Sequence, residues 1–275
     1  MGQFWPMTEP PRHLHALARE LAAKAWASNW ALIDLQLSPL GLAAIEALVP
    51  KAGEVIVDVG CGAGQSVMQL AELVGTDGRV VGVDVAPSLL KIAGDRCADL
   101  NQVHLIEGDA SILGLPDGTI DCFYSRFGVM GFAEPIAAFA NFHRMLKPAG
   151  RLAFACWRSL EENELDFLPL NAAGLEDRVD RTPFSFEASD HIRATLEAAG
   201  FKQITIRAHD ELVSSGDLEA MATVLLSVGP LGRVLRESPN LRLAAEPRVR
   251  AALAGQGDPS HVALNAATWI VSARA

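Results

Sequence analysis

VIVDVGCGAG, residues 55–64, is the stretch that decides the fold. Its first half is apolar enough to predict a buried strand, and its glycines predict a tight turn before a helix from about Ser66 to Val74. Glycine has no Cβ, so a ligand can closely approach the backbone at Gly60 and Gly62. The helix that follows would present its free N–H groups to whatever lies over the turn. The stretch therefore predicts a strand–turn–helix unit that binds a ligand.

The alternation of strands and helices continues outward from this turn. Further strands are predicted at 79–84, 103–107, 119–125 and 151–157, with helices between them. Strands this apolar, separated by helices and short loops, are typical of a parallel, doubly wound α/β sheet. A sixth strand is predicted at 201–207 and a seventh at 261–273, the last of them antiparallel at the sheet edge. The expected sheet is thus seven-stranded and mostly parallel.

The remaining segments predict helical additions to this core. Residues 1–49 predict an N-terminal helical arm or lid, with a helix break at Ser38-Pro39. The main domain would occupy 50–275, with cap insertions at about 158–190 and 216–258. Such pieces would build an apolar cap over the ligand site, as in pockets for small organic molecules. The alternative is that their large apolar side chains are ordinary core. The candidate lining residues are Trp26, Trp30, Phe127, Met130, Phe132 and Trp157.

Two carboxylates follow the next two strands. Asp84 ends the second strand, 20 positions after Gly64, where this fold places a carboxylate on ribose hydroxyls. Asp109 follows the third strand. The carboxyl ends of adjacent parallel strands meet at one edge of the sheet, so these groups are expected to share a crevice with the glycine turn. The alternatives are that Asp84 is a solvated strand-end carboxylate and that Asp109 is a turn residue.

The glycine spacing distinguishes between two cofactors. A dinucleotide-binding turn has the pattern G-x-G-x-x-G, whereas this turn is G-x-G-x-G, with Gln65 where the third glycine would stand. Asp58 precedes the turn, and a carboxylate there suits a ligand with an ammonium group and repels a pyrophosphate. Alternatively, Asp58 caps the nearby helix. The pattern favours S-adenosylmethionine over NAD.

The run from Val55 to Trp157 resembles the class I S-adenosylmethionine-dependent methyltransferases, in the broad group that includes the quinone-biosynthesis methyltransferases. The resemblance rests on VIVDVGCGAG, on VVGVDV at 80–85, on IEGDA at 106–110 and on RMLKPAGRLAF at 144–154. It implies a Rossmann-like α/β fold, S-adenosyl-L-methionine as cofactor and S-adenosyl-L-homocysteine as product. The Pro-Ala-Gly turn at 148–150 departs from the family's usual Pro-Gly-Gly, away from the cofactor.

The resemblance also implies roles at the methionine end of the cofactor. The glycines of the turn would line the methionine part: Gly60, Gly62 and Gly64. Asp58 would lie near the ammonium group. Arg126 and Phe127, which follow the fourth strand, would close over this end. Arg126 as a surface ion pair is the alternative.

A second set of implied roles concerns the adenosine end. Asp84 would hold both ribose hydroxyls, and Val85 would lie against the adenine. Asp109 would accept a hydrogen bond from the adenine amino group, and the backbone N–H of Ala110 would contact the ring. Together these expectations define a cofactor site along the carboxyl ends of the first three strands.

Methyl transfer makes few demands on catalytic side chains. A nucleophile must lie in line behind the activated methyl group, at about 3–3.5 Å, with water excluded. A general base helps only if the acceptor is a protonated phenol, carboxylic acid or amine. Among the seven histidines, His13 and His15 are better placed than His104 and His143, which are expected to be structural. No catalytic residue is assigned from the sequence.

Composition narrows the partners. The formal net charge of −10 argues against nucleic acid and against an anionic membrane surface, both of which attract basic proteins. No signal peptide and no apolar run of about 18 residues is visible, so a cytoplasmic location is expected. The four cysteines form no C-x-x-C pair, so buried free thiols and no metal site are expected.

The resulting hypothesis is a methyltransferase with a small apolar or aromatic acceptor. The residues after the fourth strand, 125–128, are Ser-Arg-Phe-Gly and lack the [N/D]-P-P-[Y/F] motif of nucleic-acid amino-methyltransferases. The helical insertion at 216–254 is a candidate homodimer contact. Two alternatives remain open: a protein that binds S-adenosylmethionine without transferring its methyl group, and an NAD-dependent oxidoreductase.

Overall fold

The computed structural model describes residues 12–275, and a seven-stranded sheet runs through its centre. The strands are β1 (Val55–Val59), β2 (Arg79–Asp84), β3 (Val103–Glu107), β4 (Ile120–Arg126), β5 (Leu146–Trp157), β6 (Lys202–Gly216) and β7 (Val262–Arg274). Their order across the sheet is β3-β2-β1-β4-β5-β7-β6. Strands β1 to β5 pair in parallel, and β7 pairs antiparallel with both β5 and β6. The predicted Rossmann-like, mostly parallel seven-stranded α/β sheet is confirmed.

Helices cover both faces and the carboxyl edge of this sheet. They are α1 (Arg12–Ser28), α2 (Trp30–Leu48), α3 (Gln65–Val74), α4 (Pro87–Arg96), α5 (Pro135–Met145), α6 (Glu164–Ala173), α7 (Ser189–Ala198), α8 (Leu218–Leu225), α9 (Gly229–Glu237) and α10 (Arg242–Ala254). Helices α6, α8, α9 and α10 pack on one another and form the helical cap. They come from the two segments that the sequence predicts as cap insertions.

The position of β7 corrects one expectation. The last strand was expected at the sheet edge, but it lies between β5 and β6. Most of its residues are buried, as in a strand with neighbours on both sides, whereas β6 is rich in polar and charged residues and buries only two of its 15. An edge strand tolerates charged side chains better than an inner strand does. The burial pattern therefore explains why β6 takes the edge.

The turn expected at 147–150 is part of a longer strand. Ile120 pairs with Leu146, and Cys122 pairs with Arg151, so β5 carries a bulge between these two pairs. The extra residues of β5 between these pairs have no partner on β4, and regular pairing resumes at Cys122 and Arg151, as in a β-bulge. The departure from Pro-Gly-Gly at 148–150 thus lies at the amino end of β5, far from the carboxyl edge.

Helix α2 is continuous, and the break expected at Ser38-Pro39 does not occur. A proline inside a helix frees the carbonyl of the residue four positions earlier. That residue, Leu35, lies on the exposed face, where water can satisfy the carbonyl. The opposite face buries Leu37, Leu40 and other apolar residues on the sheet, which compensates for the lost hydrogen bond.

The same helix is long and apolar enough to cross a membrane by length and composition alone. However, 56% of that window is buried inside the protein, against strands β4 to β7. Residues 30–48, which the sequence assigns to an arm or lid, are therefore an integral layer of the folded core. Helix α1 reaches further out and packs on α4 and α9.

Candidate cofactor and acceptor site

A cavity of about 510 Å³ lies at the carboxyl edge of the parallel strands. Its floor is formed by the glycine turn after β1 and by the ends of β2, β4 and β5. Helices α1 and α2 close one side, and the helical cap closes the other. Ligand sites of doubly wound sheets form at this edge because the strand order reverses there.

The glycine turn is held against the end of β2 by backbone hydrogen bonds. The N–H groups of Gly60 and Cys61 both donate to the Val83 carbonyl, at 2.8 and 3.1 Å. Gly60 and Gly62 have φ values of +72° and +54°, a region that residues with a Cβ rarely adopt. The turn therefore exposes bare backbone to the cavity, as the sequence predicts.

Asp84 lies where the turn meets β2, and its carboxylate lines the cavity. Oδ2 accepts a hydrogen bond from Gly62 N and Oδ1 accepts one from Ala86 N, each at 2.9 Å. Burial raises the pKa of Asp84, while these N–H groups act to lower it. Each oxygen keeps a free lone pair for a hydroxyl donor. Val85, beside it, is 66% exposed and also lines the cavity.

Asp58 lies beneath the turn and not in the cavity wall. Its side chain is completely buried, and the Ser66 hydroxyl donates to Oδ2 at 2.5 Å. Oδ1 has no hydrogen-bond partner among the described residues. Burial raises the pKa of Asp58 to about 7, although Ser66 and the Arg126 guanidinium act to lower it. The carboxylate expected to face the crevice thus turns toward the start of α3.

Three other residues with expected cofactor roles also lie outside the cavity wall. Gly64 adopts φ +86° at the start of α3, where an added Cβ would lie 2.9 Å from the Ala93 Cβ on α4. Asp109 accepts hydrogen bonds from the Ser111 N–H and hydroxyl, at 2.8 and 2.6 Å, and so caps a short 3-10 turn. Ala110 is buried in the core. The close packing of α3 on α4 accounts for the position of Gly64, and capping of the short turn accounts for that of Asp109.

Arg126 lines the cavity inside an ion network that the sequence does not reveal. Asp34 on α2 accepts from Arg96 at 2.8 Å and from Arg126 at 3.5 Å. Arg126 also donates to the Gln65 side chain, and Arg96 donates to the Ala63 carbonyl at 2.7 Å. This network fastens α2 to the carboxyl end of the glycine turn, at Ala63 and Gln65. The only sequence signal was Asp34, one of two acids in a largely apolar helix; the other is Glu46.

Aromatic residues form the wall next to this network. Phe127 stacks on Trp157, with ring centroids 3.9 Å apart and planes 14° from parallel. Phe127 adopts φ +64°, which turns its ring across the end of β5. Trp26, Trp30 and Met130 line the same cavity, as expected. Phe132 does not: it packs edge-on against Phe139 and Phe142 in the core.

The cap contributes charged residues that sequence reasoning missed. Asp166 in the first turn of α6 lines the cavity, although its exposed fraction is only 7%. Burial raises the pKa of Asp166 to about 7. Arg233 and Arg236 on α9 also line the cavity. These residues lie more than 100 positions after the glycine turn and belong to no motif, so tertiary packing alone brings them there.

Other candidate groups lie elsewhere. The described histidine side chains, at 104, 143, 191, 209 and 261, are not in the cavity wall. The side chains of His13 and His15, the base candidates at the N-terminus, lie outside the described residues. The four cysteines are free and buried, and burial raises the pKa of Cys61, the one in the cavity wall. Within residues 12–275, no cluster of His, Cys, Asp or Glu is arranged to hold a metal ion.

The fold and the site define an α/β domain of the nucleotide-cofactor class, with the glycine turn and the Asp84 carboxylate at one crevice. Comparison with known proteins narrows that class. Residues 57–154 match the family model described as a methyltransferase domain. This match covers the central segment of the chain and, together with the relatives described next, supports a class I S-adenosylmethionine-dependent methyltransferase domain, whose cofactor is S-adenosylmethionine.

Two curated relatives share the central segment of the chain. The ubiquinone/menaquinone biosynthesis C-methyltransferase UbiE of Marinomonas sp. is 33% identical over 105 residues, 37% of this chain and 42% of that protein. The aklanonic acid methyltransferase DauC of Streptomyces sp. is 30% identical over 119 residues, 42% of this chain and 54% of that protein. The chain thus spans about half or less of the length of these relatives.

A solved structure is similar over nearly the whole chain. Phosphoethanolamine N-methyltransferase 2 of Haemonchus contortus, in complex with phosphomonomethylethanolamine and S-adenosylhomocysteine, superposes with a TM-score of 0.61. The match covers 98% of this chain and 61% of that protein, at 16% identity. At that identity, the likeness extends to the fold alone.

Proposed function

We propose that this protein transfers a methyl group from S-adenosylmethionine to a small apolar or aromatic acceptor in the cytoplasm. One observation carries the proposal: a single cavity joins the Gly60–Gly62 backbone and the Asp84 carboxylate to an aromatic wall built on Phe127 and Trp157. The first part suits a nucleoside with an amino-acid tail, and the second suits a flat apolar molecule beside it.

The residues present fit the cofactor. We assign the ribose hydroxyls to Asp84, whose oxygens each keep a lone pair beside one backbone N–H. The adenine would lie on the exposed side of Val85, and the methionine tail over the bare backbone of Gly60 and Gly62. The unpartnered Oδ1 of Asp58 lies behind that turn and would attract the ammonium group electrostatically.

The protein's own contribution is to position the acceptor and exclude water. S-adenosylmethionine supplies a methyl group already activated on a sulfonium sulfur. The stacked Phe127 and Trp157 rings offer a flat surface that orients an acceptor ring, and orientation accounts for much of the rate in such displacements. Asp34 holds α2 over the site through Arg96 and Arg126, which shields the reacting atoms from solvent.

A small acceptor is supported by the shape and charge of the site. The cavity is bounded by α1 and α2 on one side and by the cap on the other, which leaves little room for a polymer. The net charge of −10 disfavours a nucleic acid.

A homodimer contact through α8–α10 stays a prediction. Leu243 on α10 is 89% exposed, so sedimentation of wild type and Leu243→Glu tests this contact.

Calorimetric titration with S-adenosylhomocysteine, with NADH in parallel, tests the cofactor. Micromolar binding of the first and no binding of NADH is the expected result. An acceptor screen that follows formation of S-adenosylhomocysteine then tests transfer. Binding without turnover by any acceptor would favour a protein that holds the cofactor without using its methyl group, and NADH binding alone would favour an oxidoreductase.

A further inference from the structure

Asp166 is a buried carboxylate that faces the cavity without a partner. Its side chain is more than nine-tenths buried, and no described residue donates a hydrogen bond to it. Its Oδ1 lies against the start of α9, where a Cβ added to Gly229 would be 3.1 Å away. The next residue, Pro230, has no N–H to donate. Buried carboxylates normally have hydrogen-bond partners, so we expect a ligand in the cavity to donate a hydrogen bond to Asp166.

We infer that Asp166 accepts the proton of a hydroxyl group on the methyl acceptor, and that the acceptor is an apolar ring bearing a phenolic or enolic hydroxyl. This inference rests on the proposed methyltransferase function. Burial sets the pKa of Asp166 at about 7, which is the range where a general base works best at neutral pH.

The position of Asp166 fits the acceptor and not the cofactor. Asp84 ends β2, whereas α6 follows β5 and packs on β7, on the other side of β1 and β4. Strands β2 and β5 are three strand spacings apart, about 14 Å. The Phe127–Trp157 stack lies at the ends of β4 and β5, which stand between β2 and β7 in the strand order. A ring resting on this stack would have the cofactor on one side and Asp166 on the other.

The charges around Asp166 favour a neutral hydroxyl over an ammonium group. Arg236 lies about 10 Å along α9 from Gly229 and has no carboxylate partner among the described residues. An uncompensated guanidinium in the same wall repels a cationic acceptor. The other charged groups on α6 and on the elements packed against it are Glu161, Glu162, Glu164, Glu176, Asp177, Arg178, Arg233, Glu237, Arg242, Glu246, Arg248, Arg250 and Arg274. Arg158, Glu162 and Arg233 are ion-paired, and Glu164 accepts from the Asn265 N–H.

The proposed step balances without a further reactant. The acceptor oxygen forms a bond to the methyl carbon, and the carbon–sulfur bond breaks with its electron pair passing to the sulfur. The O–H proton passes to a carboxylate oxygen of Asp166. Where the ring carbon beside the hydroxyl is the nucleophile, loss of the O–H proton to Asp166 lets that carbon bond to the methyl group while the oxygen becomes a carbonyl. The hydrogen on the methylated carbon then leaves to water as a proton, and the oxygen takes up a proton from water to restore the hydroxyl. Asp166 then returns the proton to water when the product leaves.

Binding of matched probes to the protein saturated with S-adenosylhomocysteine tests this inference. At pH 8 we expect wild type to bind 2-naphthol at least about tenfold more tightly than 2-methylnaphthalene, since a hydrogen bond to a charged acceptor is worth that much. Asp166→Ala should remove the preference and Asp166→Glu should restore part of it. Asp190→Asn, an exposed acid in the first turn of α7, is the matched control and should keep the full preference.

The outcomes separate this inference from the proposed function. Failure to bind S-adenosylhomocysteine would overturn the proposed function itself. Binding of S-adenosylhomocysteine with equal affinity for the two probes, with no affinity for either, or with an unchanged preference in Asp166→Ala would overturn the role of Asp166. Tighter binding of 2-naphthylmethylammonium than of 2-naphthol would replace the hydroxyl acceptor by an amine. A preference for 2-naphthol that weakens below pH 7 in wild type, and not in Asp166→Asn, would support the inference.

Discussion

Gly60 and Gly128 bring the ends of β1 and β4 into backbone contact. A Cβ added to Gly60 would lie 2.7 Å from the Gly128 Cα, and one added to Gly128 would lie 2.3 Å from the Val59 carbonyl oxygen. Both distances are shorter than non-bonded atoms tolerate. This contact seats the glycine turn directly beside Phe127 and so joins the proposed cofactor site to the aromatic wall.

Replacing Gly128 should therefore damage both stability and cofactor binding. Gly128→Ala forces the backbone of β1 and β4 apart, and overpacking of this kind costs about 1–3 kcal/mol. Urea unfolding gives the stability, and calorimetry gives the affinity for S-adenosylhomocysteine. Gly114→Ala is the control, because an added Cβ there meets nothing within 4 Å. Equal stability of the two variants would contradict the contact.

Asp84→Ala should weaken the binding of S-adenosylhomocysteine by roughly 1.5–3 kcal/mol, through lost hydrogen bonds to a charged acceptor. The substitution also frees the N–H groups of Gly62 and Ala86 and so loosens the turn. Asp99→Ala, at an exposed aspartate that follows α4, serves as the control. Unchanged affinity in Asp84→Ala would remove this residue from the cofactor site.

Asp34→Ala should destabilise the protein by about 3 kcal/mol, because removing one partner of a largely buried ion network leaves uncompensated charges. The affinity for S-adenosylhomocysteine should fall as well, since α2 loses its ion pairs with Arg96 and Arg126 beside the glycine turn. Asp117→Ala breaks an exposed ion pair with Arg144 and should cost less than about 1 kcal/mol. Thermal unfolding of both variants measures these losses of stability. Equal losses in Asp34→Ala and Asp117→Ala would contradict the stabilising role of the Asp34 ion network.

Asp166 makes a signed prediction about pH and stability. Its pKa is about 7 in the folded protein against an ordinary value of 3.8, so between these values the folded state holds a proton that the unfolded state releases. The contribution of Asp166 to the free energy of unfolding therefore decreases as pH rises from 4 to 7, by at most about 4 kcal/mol, and is constant at higher pH. In Asp166→Asn that contribution is absent.

The measurement is urea unfolding of wild type and Asp166→Asn at several pH values. The variant's stability relative to wild type should rise between pH 4 and pH 7 and stay constant above. Asp190→Asn, at an exposed aspartate, should follow wild type throughout. A difference between Asp166→Asn and wild type that does not vary with pH would mean that Asp166 titrates normally in the folded state.

The sequence by itself determined the central sheet, the glycine turn and the class of cofactor. These features depend on residues close together along the chain: apolar strands, glycines with positive φ, and Asp84 at a set spacing from Gly64. Local pattern predicts local backbone, and the parallel α/β arrangement then places consecutive strand ends at one edge. For the same reason the position of Asp84 beside the turn followed from spacing alone.

Only the tertiary structure decided which side chains reach the cavity. Asp58 and Asp109 have the expected residue type at the expected position, yet a nearer partner, Ser66 or Ser111, occupies one carboxylate oxygen of each. Asp34 and Asp166 belong to no motif, and they reach the site because α2 and α6 bury their apolar faces against the sheet and the cap. The order of β6 and β7 and the continuity of α2 were likewise settled by burial. Contacts between residues tens of positions apart depend on how the core packs, which no local pattern records.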